Sequence, residues 1–182
     1  MREDIQAELK SFGYGPHLLK AALRELPKKM WCYRSRQDRW SIHDLIVHLA
    51  ESEASLYLCS RQFIADPGSA MIEFDSRRGD RSLVDFHQSA RESLRIISHL
   101  RKATYLLLCA LPDHVWDNIA TNPQGGSITL HRWMVVQLGH IPNRIKQMQN
   151  IYSDWTKNHA PRQRVVNSGW MAENSAQSLE IK

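Results

Sequence analysis

Apolar residues recur three and four positions apart along four long segments of the chain, which is the spacing of a helix with one buried face. The clearest of these segments begins at Ser41 and runs to about Ala65, before the turn signal Asp66-Pro67-Gly68. Ser41 and Asp44 have the spacing of a capping box, with aspartate in place of the usual glutamate. The pattern therefore predicts a helix that begins at Ser41 and ends near Ala65.

Three further segments have the same periodicity, from about 2 to 26, from 82 to about 110, and from 127 or 128 to about 155. Ser82 and Asp85 repeat the capping signature at the start of the third helix. Pro16, which lies close to Gly13 and Gly15, predicts a break or kink in the first segment. Pro142 predicts a kink or an open turn near His140 in the last segment.

No alternation of strand and helix patterns and no internal repeat is found along the chain. The expected fold is all-α, a single four-helix bundle over residues 1–155. A long polar loop, residues 67–82, joins the second and third helices. Residues 156–182 have little periodicity, and we expect them to form a poorly ordered tail.

The composition fits a globular domain, with 42% hydrophobic and 24% charged residues among 182. No apolar run approaches the roughly 20 residues that a membrane helix needs, and the N-terminus does not resemble a signal peptide. The three cysteines are widely spaced and form no CxxC pair, so we expect them to be reduced. A cytoplasmic protein without a membrane partner is the expectation.

The formal net charge of +5 raises the possibility of a nucleic-acid partner. The basic residues are scattered, however, and are mixed with acids, and no nucleic-acid-binding motif accompanies them. We therefore expect no nucleic-acid partner and place these side chains on solvated helix faces and in loops. They include Arg34, Arg36, Arg39, Arg77, Arg78, Arg81, Arg95, Arg101 and Lys102.

Two histidines are the candidates for chemistry. His48 lies beside an apolar stripe of the second helix, and His140 lies in the fourth. In helix bundles, metal ions are coordinated by such inward-facing side chains. A transition metal site usually has at least three protein ligands. His48 is either a hydrogen-bonded core residue or a ligand. Glu51 and Glu53, about one turn further on, could orient an imidazole or lie on an exposed face.

At this point two motifs resemble those of the DinB superfamily, a group of YfiT-like four-helix bundles. WSIHDLIVHLAESE, residues 40–53, is similar to the start of its second helix, which carries a metal-binding histidine at the position of His48. HRWMVVQLGHIPNRIKQM, residues 131–148, resembles its last core helix, which usually reads HxxHHxxQI and gives two histidine ligands four residues apart. His140 matches the first of these. The resemblance covers residues 2–155.

One position departs from that pattern, because the sequence has Asn143-Arg144 where the superfamily has two histidines. A guanidinium has no lone pair to offer a metal. Asn143, Glu51 or Gln137 could supply an oxygen as third ligand, but such a set should hold zinc poorly. Arg144 could instead pair with Glu51 or with an anionic ligand, which would give the site a fixed positive charge.

The resemblance implies two alternative functions. The first is a metal-free or weakly metal-binding protein that binds a small molecule in a pocket near Glu51, Gln137 and Arg144. The second is a divalent-metal-dependent S-transferase for a low-molecular-weight thiol, or a related enzyme, with zinc or nickel held by His48 and His140. The resemblance also implies a homodimer.

Overall fold

The fold is described from a computed structural model, over residues 3–36, 39–71, 88–121 and 126–159. Most of the long loop, the capping signature at Ser82 and Asp85, and residues 160–182 of the predicted tail lie outside these ranges. The prediction of a poorly ordered tail is therefore not tested beyond His159.

Five α-helices lie within the residues that the structure describes. They are α1 (Glu3–Arg24), α2 (Ile42–Ala65), α3 (Ala90–Cys109), α4 (Leu130–Leu138) and α5 (His140–His159). Short 3-10 turns occupy Lys28–Met30 and Asp113–Asp117, and an antiparallel pair of strands, β1 (Ile119–Thr121) and β2 (Ser127–Thr129), precedes α4. α4 and α5 follow each other in series as the fourth helix of the bundle. The predicted all-α four-helix bundle is confirmed.

Each helix of the bundle packs against two neighbours. α3 contacts both α1 and α2, and α5 contacts the same two helices from the other side. α1 and α2 therefore occupy opposite corners, and α2 lies between α3 and α5.

The predicted break in the first helix is wrong, because α1 is continuous and contains Pro16 in its interior. The nearby glycines serve close packing. A Cβ at Gly13 would lie 2.9 Å from the Tyr105 ring, and one at Gly15 would lie 2.9 Å from Ile141 Cδ1. Both positions therefore let neighbouring helices approach α1 more closely than a side chain would allow.

The fourth helix is interrupted at Gly139, one residue before His140. Pro142 is the third residue of α5, in the first turn, where a backbone N–H has no partner within the helix. The missing donor of proline is therefore tolerated there. The predicted helix start at 127 or 128 is wrong by a short margin: those residues belong to β2, and Thr129 caps α4 by accepting from the Arg132 N–H.

The predicted capping box at the start of α2 is confirmed. Ser41 Oγ accepts from the Asp44 N–H at 3.2 Å, and the Asp44 carboxylate accepts from the Ser41 N–H at 2.8 Å. Arg34 adds two hydrogen bonds to the same carboxylate, at 3.0 and 2.9 Å. These contacts fix the start of the helix that carries His48.

The core has two apolar clusters, one towards each end of the bundle. The first cluster comprises Ile5, Leu9, Phe12, Leu56, Cys59, Phe63, Leu108, Trp116, Ala120, Leu130, Trp133 and Met134. The second cluster comprises Leu19, Leu23, Leu26, Met30, Ile42, Leu45, Ile46, Leu49, Ala50, Ile97, Ile141 and Met148. Along α2 and α3, the residues between the clusters include Glu53, Arg101 and Thr104, all buried. A polar layer therefore crosses the middle of the bundle.

The centre of this layer is an ion pair between α2 and α3. Arg101 is 2% exposed and donates two hydrogen bonds to the Glu53 carboxylate, which is fully buried, and its guanidinium lies 4.0 Å from the centre of the Phe12 ring. Burial raises the pKa of Glu53, and Arg101 offsets only part of that effect. The expectation that Arg101 lies on a solvated face is wrong, and so is the exposed alternative for Glu53.

Among the helices of the described ranges, none is both long and apolar enough to cross a membrane. Cytoplasmic location and dimer formation stay predictions.

Candidate functional site

A cavity of about 230 Å³ opens between α2, α4 and α5. Pockets that bind drug-sized ligands have volumes of roughly 300–1,000 Å³, so this cavity is smaller. Its volume is suited to a small metabolite. Six of the ten described lining residues have polar side chains. The described residues that line it are His48, Ser52, Ser55, Gln137, His140 and Arg144, together with Leu56, Cys59, Met71 and Trp133.

The lining residues of helix α2 lie on one face of that helix. His48, Ser52, Ser55 and Cys59 follow one another at intervals of four, three and four residues, so they share one helical face. Burial raises the pKa of the Cys59 thiol, while a hydrogen bond with Ser55 opposes that shift. The thiol therefore keeps its proton at neutral pH, which does not favour a nucleophilic role.

The opposite wall comes from both halves of the interrupted fourth helix. Gln137 lies in α4, and His140 and Arg144 lie in α5, three and four residues apart across Gly139. The structure thus brings together four residues singled out from the sequence, His48, Gln137, His140 and Arg144, around one cavity.

A hydrogen bond joins Arg144 to His48 across the site. Arg144 Nη2 lies 2.8 Å from His48 Nε2. Since a guanidinium has only donors, His48 Nε2 must be the acceptor, and the proton of the neutral ring is on Nδ1. Ser52 Oγ lies 3.4 Å from the same nitrogen. The lone pair that a metal would use on this atom is engaged by a cation.

Two further contacts fix the direction of the Arg144 side chain. Its Nη1 donates to Gln147 Oε1 at 3.0 Å, and its guanidinium lies 5.6 Å from the centre of the Trp40 ring. The Trp40 ring also meets the His48 ring edge to face at 4.9 Å. Trp40, the first residue of the motif WSIHDLIVHLAESE, is therefore in contact with both residues of the hydrogen bond.

His140 completes the polar wall with a neutral ring. Its centre lies 5.7 Å from that of His48. Burial, together with the nearby His48, Arg144 and Arg101, lowers the pKa of His140 to about 4. Its Nδ1 is buried and has no hydrogen-bond partner within the part of the chain that the structure describes. This nitrogen is thus available to a ligand at neutral pH.

The remaining sequence candidates lie elsewhere. Asn143 is exposed and is not among the residues that line the cavity, so its position does not support a role as third metal ligand. The carboxylate oxygens of Glu51 are buried, but Glu51 is not part of the described lining either. Across residues 3–36, 39–71, 88–121 and 126–159, no group of three or more histidine, cysteine, aspartate or glutamate side chains is placed to hold a metal.

The residues present do not fit the three-ligand metal site that the sequence resemblance implies. Two imidazoles face the cavity, but the position of a third ligand carries the Arg144 guanidinium, which donates to one of those imidazoles. A metal at this point would have to displace that hydrogen bond and approach a fixed positive charge.

Six of the ten described residues that line the cavity were not predicted as site residues from the sequence. Ser52, Ser55 and Cys59 share the helical face of His48, so their spacing from that residue could have identified them. Trp133 lies four residues before Gln137 in α4, so the same argument applies to it. Met71 carried no such signal, because it lies beyond the end of α2.

Comparisons with known proteins agree on a family. The sequence profile of the DinB superfamily matches residues 12–148. A protein of Oceanobacillus iheyensis, named as a candidate metal-dependent hydrolase, is 22% identical over 142 residues, which span 77% of this chain and 82% of the relative.

Solved structures show the same fold at low sequence identity. YfiT from Bacillus subtilis, described as a probable metal-dependent hydrolase with an unusual four-helix bundle topology, is 16% identical, with a TM-score of 0.75 over 87% of this chain and 89% of YfiT. A mycothiol-dependent maleylpyruvate isomerase is 11% identical, with a TM-score of 0.64 over 79% of this chain and 60% of the isomerase.

Proposed function

Because the chain belongs to the DinB superfamily, we propose that it is a small-molecule-binding member in which Arg144 stands in place of a metal ligand. The observation that carries the proposal is the hydrogen bond from Arg144 Nη2 to His48 Nε2 at 2.8 Å. This bond uses the same lone pair that a metal ion would need.

Electrostatics support the same conclusion. A divalent cation bound by His48 and His140 would lie within a few ångströms of the guanidinium, and like charges at that separation repel strongly in a partly buried site. Arg144 cannot relieve the repulsion by losing its proton, because arginine stays charged at any pH at which the protein is folded. A fixed positive charge therefore takes over the electrostatic part of the role that a metal has in relatives.

The proposal is tested by restoring the missing ligand. Arg144→His would place a histidine four residues after His140 and opposite His48, which is the three-histidine pattern implied by the resemblance. We expect purified wild-type protein to hold far less than one equivalent of transition metal, and Arg144→His to bind about one equivalent of zinc or nickel per chain. Elemental analysis and competition with a chelating dye measure both.

Arg144→Gln is the matched control, because it removes the charge without adding a ligand. We expect it to bind metal more weakly than Arg144→His, and we expect His48→Ala in the Arg144→His background to abolish binding. Stoichiometric, tight metal binding by the wild-type protein that is lost in His48→Ala would overturn the proposal.

A second candidate function is a metal-dependent thiol S-transferase or a related enzyme. The observation in its favour is the buried His140 Nδ1, which has no partner among the described residues, and a structural neighbour is mycothiol-dependent. The same metal measurement decides between the two, because this candidate requires stoichiometric metal in the wild-type protein.

A further inference from the structure

We propose that the cavity binds a small uncharged molecule that has a hydroxyl or primary amide group at one end and a short hydrocarbon body at the other. The inference rests on the proposed function, since it takes the cavity to be free of metal. It adds the chemical class of the ligand and names the side chains that contact each end of it.

The polar side chains of the lining are suited to a group that both donates and accepts hydrogen bonds. Ser52, Ser55 and Gln137 line the cavity and carry hydroxyl or amide groups, which have both functions and no charge. A hydroxyl or a primary amide on the ligand has the same two functions, so it can pair with any of them.

His140 gives the polar end a specific contact. It lines the same cavity, and its buried Nδ1 has no hydrogen-bond partner among the described residues. A buried polar atom without a partner is unfavourable, so a ligand that supplies one gains affinity there. A hydroxyl or primary amide can pair with this nitrogen in either tautomer of the neutral ring, because each group both donates and accepts.

The lining does not favour a charged ligand. An anion would have to compete for the Arg144 guanidinium, which already donates to His48 and Gln147, lies 5.6 Å from the centre of the Trp40 ring and makes a further contact. A cation would find no carboxylate among the lining residues that the structure describes. Either ion would thus leave water without gaining a new counter-ion, and burial of such a charge is costly.

The hydrocarbon body has an apolar wall to pack against, formed by Leu56, Met71 and Trp133. The main chain holds Met71 in place beyond the end of α2. Its N–H donates to Thr121 O in β1 at 2.8 Å, and the Thr121 N–H donates to Ser69 O at 2.9 Å. Since an apolar cavity of about 150 Å³ takes up benzene, about 230 Å³ is enough for a chain of six carbons.

The test compares three probes with nearly the same hydrocarbon body, which are hexanamide, hexanoate and hexylammonium. Each is titrated into chelator-treated protein at neutral pH and constant ionic strength, with binding followed by calorimetry. We expect hexanamide to bind at least about tenfold more tightly than either ion, because the ions lose hydration without a new partner of opposite charge.

Two variants with the same replacement locate the polar end of the ligand. His140→Phe removes both ring nitrogens and keeps a ring of similar size, and it should weaken hexanamide binding by about fivefold to tenfold. His99→Phe, at an exposed position of α3, should leave binding unchanged. The nitrogen NMR signal of His140 Nδ1 in the wild-type protein tests the same contact without a variant, and we expect hexanamide to shift it.

A variant of the apolar wall locates the other end. Met71→Ala enlarges the cavity beside the hydrocarbon body, and we expect the affinity of octanamide relative to hexanamide to rise by about fivefold, because two more methylene groups can be buried. The wild-type ratio is the control. An unchanged ratio in Met71→Ala would contradict the placement of the hydrocarbon body.

Three further results would overturn the inference. They are binding of either ion as tight as that of hexanamide, equal effects of His140→Phe and His99→Phe, and no hexanamide binding either to metal-free protein or after zinc is added. Hexanamide binding that appears only after zinc is added would instead overturn the proposed function, because the metal would then be part of the site. The two failures are thus distinguishable.

Discussion

Among the described residues, Arg101 and Arg144 are the two arginines that reach the interior of the bundle, and they have different partners. Arg101, in the polar layer between α2 and α3, donates two hydrogen bonds to the Glu53 carboxylate and is 2% exposed. Arg144, at the cavity between α2 and α5, is only partly buried, and its hydrogen bonds include those with the His48 imidazole and the Gln147 amide.

We interpret Arg101 as a structural charge, and the proposed function makes Arg144 a residue of the ligand site. At the Arg101 pair, the protein supplies the counter-ion itself and fills the space around it, so no volume remains for a ligand. At Arg144 the charge borders a cavity, where a small molecule can reach it. Burial of an arginine therefore says little about its role until its partner is known.

The largest effect is expected from removing one half of the structural pair. Glu53→Leu leaves the Arg101 guanidinium buried without its carboxylate, and we expect the free energy of unfolding to fall by about 3–5 kcal/mol. Chemical denaturation of the variant beside the wild-type protein measures the loss.

A double variant provides the control. Glu53→Leu combined with Arg101→Met replaces both charges by apolar groups of similar size, and we expect it to recover most of the lost stability. The raised pKa of Glu53 supports this expectation, because it means that burial of the carboxylate is only partly compensated by Arg101. A double variant as unstable as Glu53→Leu would show that the pair itself contributes net stability.

The two arginines also mark the limit of what the sequence could predict. The spacing of Ile97, Arg101, Thr104 and Leu108 places Arg101 on the buried stripe of α3, and Glu53 lies in the same way between Leu49 and Leu56. That signal was present but was outweighed by the general rule that charged residues are exposed. The helices, the capping box and the pairing of His48 with residues of the fourth helix were predictable, because they rest on local patterns and motifs.

Other features depend on contacts between segments far apart in the chain. The continuity of α1 through Pro16 is one, because Gly13 and Gly15 are needed for close packing against Tyr105 and Ile141 rather than for a break. The direct hydrogen bond from Arg144 to His48 is another, since the two residues are 96 positions apart. No single-sequence pattern specifies such a pair.

A third arginine provides an intermediate case for the comparison. Arg34 pairs with Asp44 at the start of α2, with its side chain 42% exposed. Burial raises the pKa of Asp44, but hydrogen bonds from Arg34 and Ser41 outweigh that effect and hold it below its usual value. Asp44→Asn should therefore lower the free energy of unfolding by about 1–2 kcal/mol at neutral pH.

The pH dependence of that loss follows from the direction of the shift. A carboxyl with a lowered pKa in the folded state adds stability above its unfolded pKa of about 4, and the contribution disappears as the pH falls through the folded value. The difference between the wild-type protein and Asp44→Asn should thus be full at pH values near neutral and should shrink below about pH 4. A difference that is constant with pH would mean that the Asp44 charge adds nothing to the cap.

Among these substitutions, we expect replacement of Arg144 to have the smallest effect on the free energy of unfolding. Arg144→Met removes a partly exposed cation and its hydrogen bond to His48 Nε2, and Ser52 Oγ, 3.4 Å from the same atom, is close enough to become the donor instead. We expect the free energy of unfolding to change by less than about 1 kcal/mol, because the lost bond can be replaced at a small shift in geometry. Thermal and chemical denaturation of Arg144→Met beside Glu53→Leu give the comparison directly. A loss at Arg144 as large as that at Glu53 would mean that both arginines hold the fold together.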